Sequence, residues 1–354
     1  MRVALVGAGA MGTVIGAYLT KGGVDVEMFD AYEANVLALQ EKGATVKHVE
    51  PEYSFTIPVK AFTPDKMSGI YDLILLTIKQ TANPVVLPQL LKHMDENSMV
   101  CTLQNGIPES SVAEVVGVER TIGGAMMFAA TWLEPGISAE TSAYTSFKAS
   151  SFEIGEVGKP VTPRLLEVQK ILENVGGTKV MDNLMDVRWT KLLINCCGSG
   201  MSAALNCTFG EAADDARSLA CEAFIAKECT EVCRAEGYRM IEAFGIDFDN
   251  MLWTTKDEMK AVMQEFRNLY SSAKSGKASM LQDLEKKQKT EISFIDGHAS
   301  TYGKKHGIAT PFCDMVVALV QEAEEKKGLN DFSDIRRFDE LLKDYQDVIE
   351  SMTL

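Results

Sequence analysis

"VALVGAGAMGTVIG", residues 3–16, begins as an apolar strand and turns at once into a glycine-rich loop. Gly7, Gly9 and Gly12 form the pattern G-x-G-x-x-G, with Ala10 and Met11 in its last two variable places. Such a pattern is weak alone, and following a strand and opening a helix is what gives it meaning. Gly7 permits the tight turn, Gly9 lets the backbone approach a pyrophosphate, and Gly12 allows close packing of helix on strand. The helix N-terminus, with Ala10 and Met11 at its start, then faces the anion. A second strand ends at Asp30, 18 residues after Gly12. There an acidic residue accepts hydrogen bonds from the adenosine ribose of NAD. Capping of the next helix is the competing reading of Asp30. A basic residue to meet the 2′-phosphate of NADP is missing between Asp30 and Lys42. NAD(H) is therefore favoured, with NADP(H) as the alternative.

Outward from this loop, strand and helix signals alternate. Strands are expected at Arg2–Val6, Val24–Phe29, Tyr71–Thr77, Met99–Leu103 and in 121–130, with helices at Met11–Lys21, Ala34–Lys42 and Pro84–Met94. Alternation of this kind means a parallel sheet covered by helices. "PGISAET" (135–141) and "SSFEIGEVG" (150–158) read as an antiparallel extension, and 162–177 as a helix returning to it. After about residue 180 the pattern becomes helical, with amphipathic stretches at 184–205, 210–238, 255–273, 289–307 and 311–327. A last one spans Ile335–Glu350 and sets Ile335, Phe338, Leu342, Tyr345 and Ile349 on one stripe. The expected fold class is α/β: a Rossmann-type dinucleotide-binding domain over residues 1–180, then an all-helical substrate and dimerisation domain over 181–354.

Composition narrows the function. The chain has 354 residues, enough for two domains with real cores. Its formal net charge of −15 argues against nucleic acid and anionic membrane surfaces, which need a basic footprint. Apolar runs such as "YDLILLTI" (71–78) are strand length, far short of a bilayer span. The N-terminus enters a strand directly, without a signal-peptide pattern, so a cytoplasmic protein is expected. The eight cysteines form no C-x-x-C and have no histidine at zinc-like spacing, so they read as buried free thiols and no metal is expected.

Further polar residues punctuate the chain. Lys79, in "TIKQ", and Asn105, in "LQNGIP", each lie just beyond a strand of the expected sheet, where open α/β sheets bind ligands. In "RWTKLLINCC" (188–197) an apolar helix carries Lys191 and, four residues on, Asn195. Positions i and i+4 share one helical face, so both groups point the same way. On this segment alone, a snorkelling lysine also accounts for the pair. Ser279 stands shortly before Glu291 in "SSAKSGKASMLQDLEKKQKTEISFIDG" (271–297).

In the order and spacing of these elements the chain resembles the ketopantoate reductases. The match comprises GAGAMG, the strand-end Lys79, "QNG" at 104–106, "PG" at 135–136 and W-x-K-L-x-x-N at 189–195. It continues through "ASMLQDL" (278–284), "KTEI" (289–292) and "HGIATP" (306–311). The resemblance implies an NAD(P)H-dependent reductase of a small anionic 2-oxo acid, 2-dehydropantoate by default, acting as a homodimer. It makes Lys191 the residue that polarises the carbonyl and supplies the proton, and Glu291 the acid that orients the hydroxyl end of the substrate. Asn195 and Ser279 would hold substrate oxygens, Asn105 would link cofactor and substrate, and Lys79 would line the site. The cofactor set is then Gly7, Gly9, Ala10, Met11, Gly12, Asp30, Lys79, Asn105 and Glu291.

Three departures bear on specificity. Ser199 stands where the family often has a second asparagine on the lysine helix; it is kept in the substrate set. Ser293 and Asp296 replace an acid and an amide in the usual "EIDxxNG". Ala31 stands where NADPH-using members carry an arginine. The alternatives are a paralogous 2-hydroxy-acid dehydrogenase for another branched or dicarboxylic 2-oxo acid, and a non-catalytic dinucleotide sensor.

Overall fold

A strand only four residues long can still face two cores, because its side chains alternate. The computed structural model describes residues 1–271 and 274–353. It divides into two compact units, Met1–Leu184 and Met185–Leu354. The first runs β1 (Val3–Val6), α1 (Ala10–Lys21), β2 (Val26–Phe29), α2 (Glu33–Lys42), β3 (Ala44–Lys47), β4 (Phe55–Ile57), β5 (Lys60–Phe62), β6 (Leu73–Leu76) and α3 (Asn83–Leu90). It continues with β7 (Met99–Thr102), α4 (Glu109–Val116), β8 (Thr121–Met126), β9 (Ala130–Glu134), β10 (Ile137–Glu140), α5 (Tyr144–Ala149), β11 (Phe152–Gly155), α6 (Pro163–Leu172) and β12 (Thr178–Val180). Val3 and Leu5 of β1 join a core with Val14, Ile15 and Leu19 of α1 and Leu165 and Val168 of α6. Ala4 and Val6 join another with Leu87 of α3 and Val112 and Val116 of α4. Helices thus cover both faces, the doubly wound form of the α/β layer.

Eight strands make one sheet in the order β12-β11-β8-β7-β6-β1-β2-β5. β1 pairs in parallel with β2, Val3 opposite Val26, and with β6, Val3 opposite Leu73. The chain moves outward from β1 in both directions, so the carboxyl ends of β1 and β6 flank the topological switch point where ligands bind.

The expected antiparallel extension is half right. β11 does run antiparallel to β8, Phe152 opposite Met126. β10 instead belongs to a separate four-stranded sheet, β4-β3-β10-β9. The cause is the Pro135-Gly136 turn, where Gly136 has φ +79° and folds β10 back on β9. The free edge of that hairpin takes β3 in parallel, Ile137 opposite Thr45.

The second unit is helical. α7 (Leu184–Ile194) passes without a break through a π-helical turn, Asn195–Gly200, into α8 (Met201–Leu205). Then follow α9 (Phe209–Asp214), α10 (Ala216–Ala235), α11 (Lys256–Tyr270), α12 (Ser279–Glu285), α13 (Asp296–His306), α14 (Pro311–Lys326) and α15 (Gln346–Met352). The single helix expected over 210–238 is broken at Asp215, an extended residue whose carboxylate accepts from the Ser218 amide and starts α10 afresh. The stretch expected at 255–273 forms α11; its expected end at residues 272 and 273 lies outside the described residues. A two-residue-strand hairpin, Glu242–Ala243 with Ile246–Asp247, interrupts the helices.

The tail is not one helix. Phe332–Phe338 and Lys343–Tyr345 are 3₁₀ segments, and only α15 is α-helical. Its apolar stripe is nonetheless buried at Ile335, Phe338, Leu342 and Ile349. The 3₁₀ period of three still puts 335 and 338 on one face. Arg337 clamps Glu322 of α14, Lys256 pairs with Asp347, and Arg267 of α11 donates to the Met352 carbonyl. The tail therefore packs on its own helical unit. Among the described residues no helix is long and apolar enough to cross a membrane.

Candidate active site

The glycine loop forms the turn its sequence predicts. Gly7 has φ +105°, a conformation open to glycine. A Cβ on Gly12 would lie 1.8 Å from the Gly7 carbonyl oxygen, so helix and loop touch backbone to backbone. Gly9 differs: a Cβ there meets nothing within 4 Å. Among the described residues nothing demands a glycine at that exposed position, which leaves the backbone open to close approach by a pyrophosphate. Gly9 is also the N-cap of α1, whose first turn has no side-chain cap and no acid, leaving its positive end for an anion.

Asp30 does not cap α2, whose N-cap is Tyr32. One carboxylate oxygen accepts from the Ala8 amide and the other from the Tyr32 amide, both at 2.8 Å. Asp30 thus pins the glycine loop to the end of β2, and burial pushes its pKa up against those two hydrogen bonds. Asn35, which the sequence reading did not single out, is buried on α2. It donates to the Ala8 carbonyl and accepts from the Gly136 amide, tying the loop to the β9–β10 turn.

Lys79 and Asn105 follow β6 and β7, beside the switch point. Amides lock the two strand ends together. Gln104 donates to the Ile78 carbonyl and to Asn83, and Gln80 donates to the Asn105 carbonyl at 2.6 Å. Asn83 and Thr102 donate back to Gln104. Gln80, Asn83 and Gln104 are all buried, whereas Lys79 and Asn105 remain half-exposed. The amide residues clustered in "TIKQTAN" and "LQN" were the available signal for this lock.

In the second unit, α7 and its π-turn set the face of Lys191. Four residues overshoot one α-helical turn of about 3.6 residues. A turn closed by i→i+5 bonds holds more than four, so the same step falls short. Lys191 to Asn195 takes the first kind of step and Asn195 to Ser199 the second, so the offsets cancel and Ser199 returns to the Lys191 face. Burial agrees: Lys191, Ile194, Asn195 and Ser199 are half-exposed, while Leu192, Leu193, Cys196, Cys197 and Gly198 are buried. Ser279 is exposed at the start of α12, which packs on the π-turn and α8. Glu291 is buried just after Thr290, whose amide and hydroxyl both donate to Glu324 of α14. The glycine loop, Asp30, Lys79 and Asn105 lie in the first unit; Lys191, Asn195, Ser199, Ser279 and Glu291 lie in the second.

Among the described residues no cluster of three His, Cys, Asp or Glu is arranged to hold a metal ion, and all eight cysteines are free and buried. Around the π-turn, burial pushes the carboxyls of Glu222 and Asp296 well above the usual range. Glu228 accepts from the Phe312 and Cys313 amides, yet burial outweighs those bonds and raises its pKa to about 8. Such acids hold their protons more tightly folded than unfolded. Their stabilisation is full below the unfolded pKa and is lost as pH rises through the folded one. His298, pulled down to about 4 by burial, and His48, also pulled down, act oppositely, but only below roughly pH 6.5. Glu228 thus favours a melting temperature that rises as pH is lowered from about 8.5 to about 6.5. Cys229, which hydrogen bonds to Cys196 and Cys313 lower to about 5, pulls the opposite way, and Glu228→Gln should remove the Glu228 share of the slope. An unchanged slope in that variant would show that Glu228 is ionised in the folded protein.

Two family models describe the chain. "Ketopantoate reductase PanE/ApbA" matches residues 3–153, and "Ketopantoate reductase PanE/ApbA C terminal" matches 183–324. The 2-dehydropantoate 2-reductase of Lactococcus lactis is 26% identical over 329 residues, covering 92% of this chain and 98% of that protein. The Pyrococcus horikoshii enzyme of the same name is 27% identical over 331 residues, covering 93% and 99%. The solved 2-dehydropantoate 2-reductase of Geobacter metallireducens matches with a TM-score of 0.77 at 27% identity, over 91% of this chain and 100% of that one. D-mandelate dehydrogenase with NADH and anilino(oxo)acetate shares the fold, with a TM-score of 0.77 at 24% identity, over 92% and 99%.

Proposed function

The chain belongs to the ketopantoate reductase family, oxidoreductases acting on CH–OH groups with a nicotinamide dinucleotide, and from that premise we propose that it reduces a small 2-oxo acid. The single observation that carries this reading is the face shared by Lys191, Asn195 and Ser199 through the π-turn. The dinucleotide supplies the hydride for the carbonyl carbon. The Lys191 ammonium polarises the carbonyl oxygen and delivers the proton, a general-acid role. Asn195 and Ser279 hold the carboxylate and carbonyl oxygens of the substrate, and Glu291 orients its far end. Asn105 and Lys79, fixed by the amide lock, serve the cofactor side. Gly7, Gly9, Ala10, Met11 and Gly12 hold the pyrophosphate, and Asp30 the ribose.

2-Dehydropantoate is the default substrate, and Ser199 argues for a different best one. A hydroxyl is shorter than the amide it replaces, so the pocket at that point is roomier and has one hydrogen bond fewer to offer. We expect weaker turnover of 2-dehydropantoate than of at least one 2-oxo acid that lacks the terminal hydroxyl. A panel of 2-oxo acids assayed with NADH and with NADPH tests the activity and the substrate together. Turnover of none would leave the sensor reading. A wide margin in favour of 2-dehydropantoate over every other acid would overturn the Ser199 argument.

A further inference from the structure

α13 meets the lysine helix at two points. Trp189, two residues before Lys191, sets its buried ring edge-on to His298, with centroids 5.5 Å apart. Further along, Asp296, the first residue of α13, lays its carboxyl on the bare Cα of Gly200. A Cβ there would lie 2.6 and 2.8 Å from the two carboxyl oxygens, closer than side chains tolerate. Gly200 closes the π-turn that carries Asn195 and Ser199. Asp296 follows Glu291 by five residues, across the single 3₁₀ turn Ile292–Phe294. One carboxyl therefore sits between the two segments to which the reductase reading gives chemistry.

The group is unusual in itself. Asp296 is fully buried, and among the described residues its oxygens have no hydrogen-bond partner beyond its own backbone amide. Around it stand Cys196 and Cys197 of the π-turn and Glu228 and Cys229 of α10, none of which supplies a cation. A bare carboxylate in such a place is costly, and burial holds the acid in its neutral form. A neutral, unpaired acid is a poor choice for stability alone, where an apolar residue of similar size would serve better.

We propose that Asp296 is a positioning residue, locking the π-turn, and so the face of Asn195 and Ser199, against the segment that carries Glu291. This rests on the reductase reading. Asp296 touches no reacting atom; it acts through Gly200. Removing the carboxyl lets the turn relax, and a shift of about 1 Å at a reacting group costs up to ~100-fold in rate.

Asp296→Ala in the full chain should lower kcat/KM for the best 2-oxo acid ~10- to 100-fold while leaving the KM for NADH within about twofold. Asp296→Asn, equal in shape and unable to ionise, should recover most of the loss. Gly200→Ala should reproduce it by collision, and the double variant Gly200→Ala with Asp296→Ala should regain melting temperature and turnover over Gly200→Ala alone. An Asp296→Ala enzyme within threefold of wild type in kcat and in oxo-acid KM would overturn the proposal, as would a double variant no better than Gly200→Ala. If Asp296→Ala does not fold, the comparison of Asp296→Asn with the Gly200 pair still decides. If wild type turns over no 2-oxo acid, the reductase reading fails separately, and the melting temperatures of the Gly200 pair still test the contact.

Discussion

Lys191→Ala should bind NADH as wild type does and turn over its 2-oxo acid at least ~100-fold more slowly, the scale of a lost general acid. Lys191 sits half-exposed, as do Ile194 and Asn195 on its side of the helix, while Leu192, Leu193 and Cys196 are buried. The helix therefore presents the ammonium on its polar face. Alanine keeps the helix, because it has the highest helix propensity, and removes only the cation and its proton. An intact melting temperature with a collapsed kcat would separate chemistry from folding. Lys191→Arg adds a second test, since arginine keeps the charge but cannot give up its proton near neutral pH. That variant should bind substrate better than Lys191→Ala yet remain slow. A Lys191→Ala enzyme keeping more than a third of wild-type turnover would remove Lys191 from the chemistry.

How far the sequence was legible depended on the range of the interactions involved. The glycine loop at 7–12, the strand–helix alternation of the first half and the amphipathic stretches beyond residue 180 are local signals, and they identified the α/β class and the helical second half correctly. The second sheet escaped because β3 and β4 are three or four residues long, too short for a period-two pattern to stand out. Asn35 escaped because its meaning lies in a backbone amide 101 residues away. The π-turn left almost no trace. Inserting a residue into a helical turn needs no special residue type, and only the small Gly198 and Gly200, packed against the Tyr270 hydroxyl and Asp296, mark it. The tail misled for the opposite reason: a 3–4 apolar spacing fits an α-helix and also a chain of 3₁₀ turns laid on the same core. Residues whose function depends on a shared face were therefore placed on their elements, whereas the turn that aligns Ser199 with Lys191 needed the structure.

NADH should be preferred to NADPH by ~10- to 100-fold in kcat/KM, and the cause is the way Asp30 is held. Its two oxygens accept from the Ala8 and Tyr32 amides, leaving their remaining lone pairs for the two ribose hydroxyls of NAD. Turning the carboxylate away to admit a 2′-phosphate would break both bonds and strand the Ala8 amide, at roughly 1–3 kcal/mol for a buried donor, whereas the exposed Tyr32 amide can turn to water. Leaving it in place sets like charges in contact. Ala31, exposed beside it, supplies no cation, and no Lys or Arg follows before Lys42. Asp30→Ser with Ala31→Arg removes the repulsion and provides a guanidinium that can grip a phosphate in two-point fashion. That double variant should reverse the order of the two cofactors, while Asp30→Ser alone should weaken NADH without creating a preference for NADPH. Because the carboxylate also pins the glycine loop, both variants should lose some stability, which thermal unfolding without cofactor measures separately. Equal or better use of NADPH by the wild-type protein would mean that the phosphate finds a cation from elsewhere, and the role of Asp30 would shrink to holding the loop.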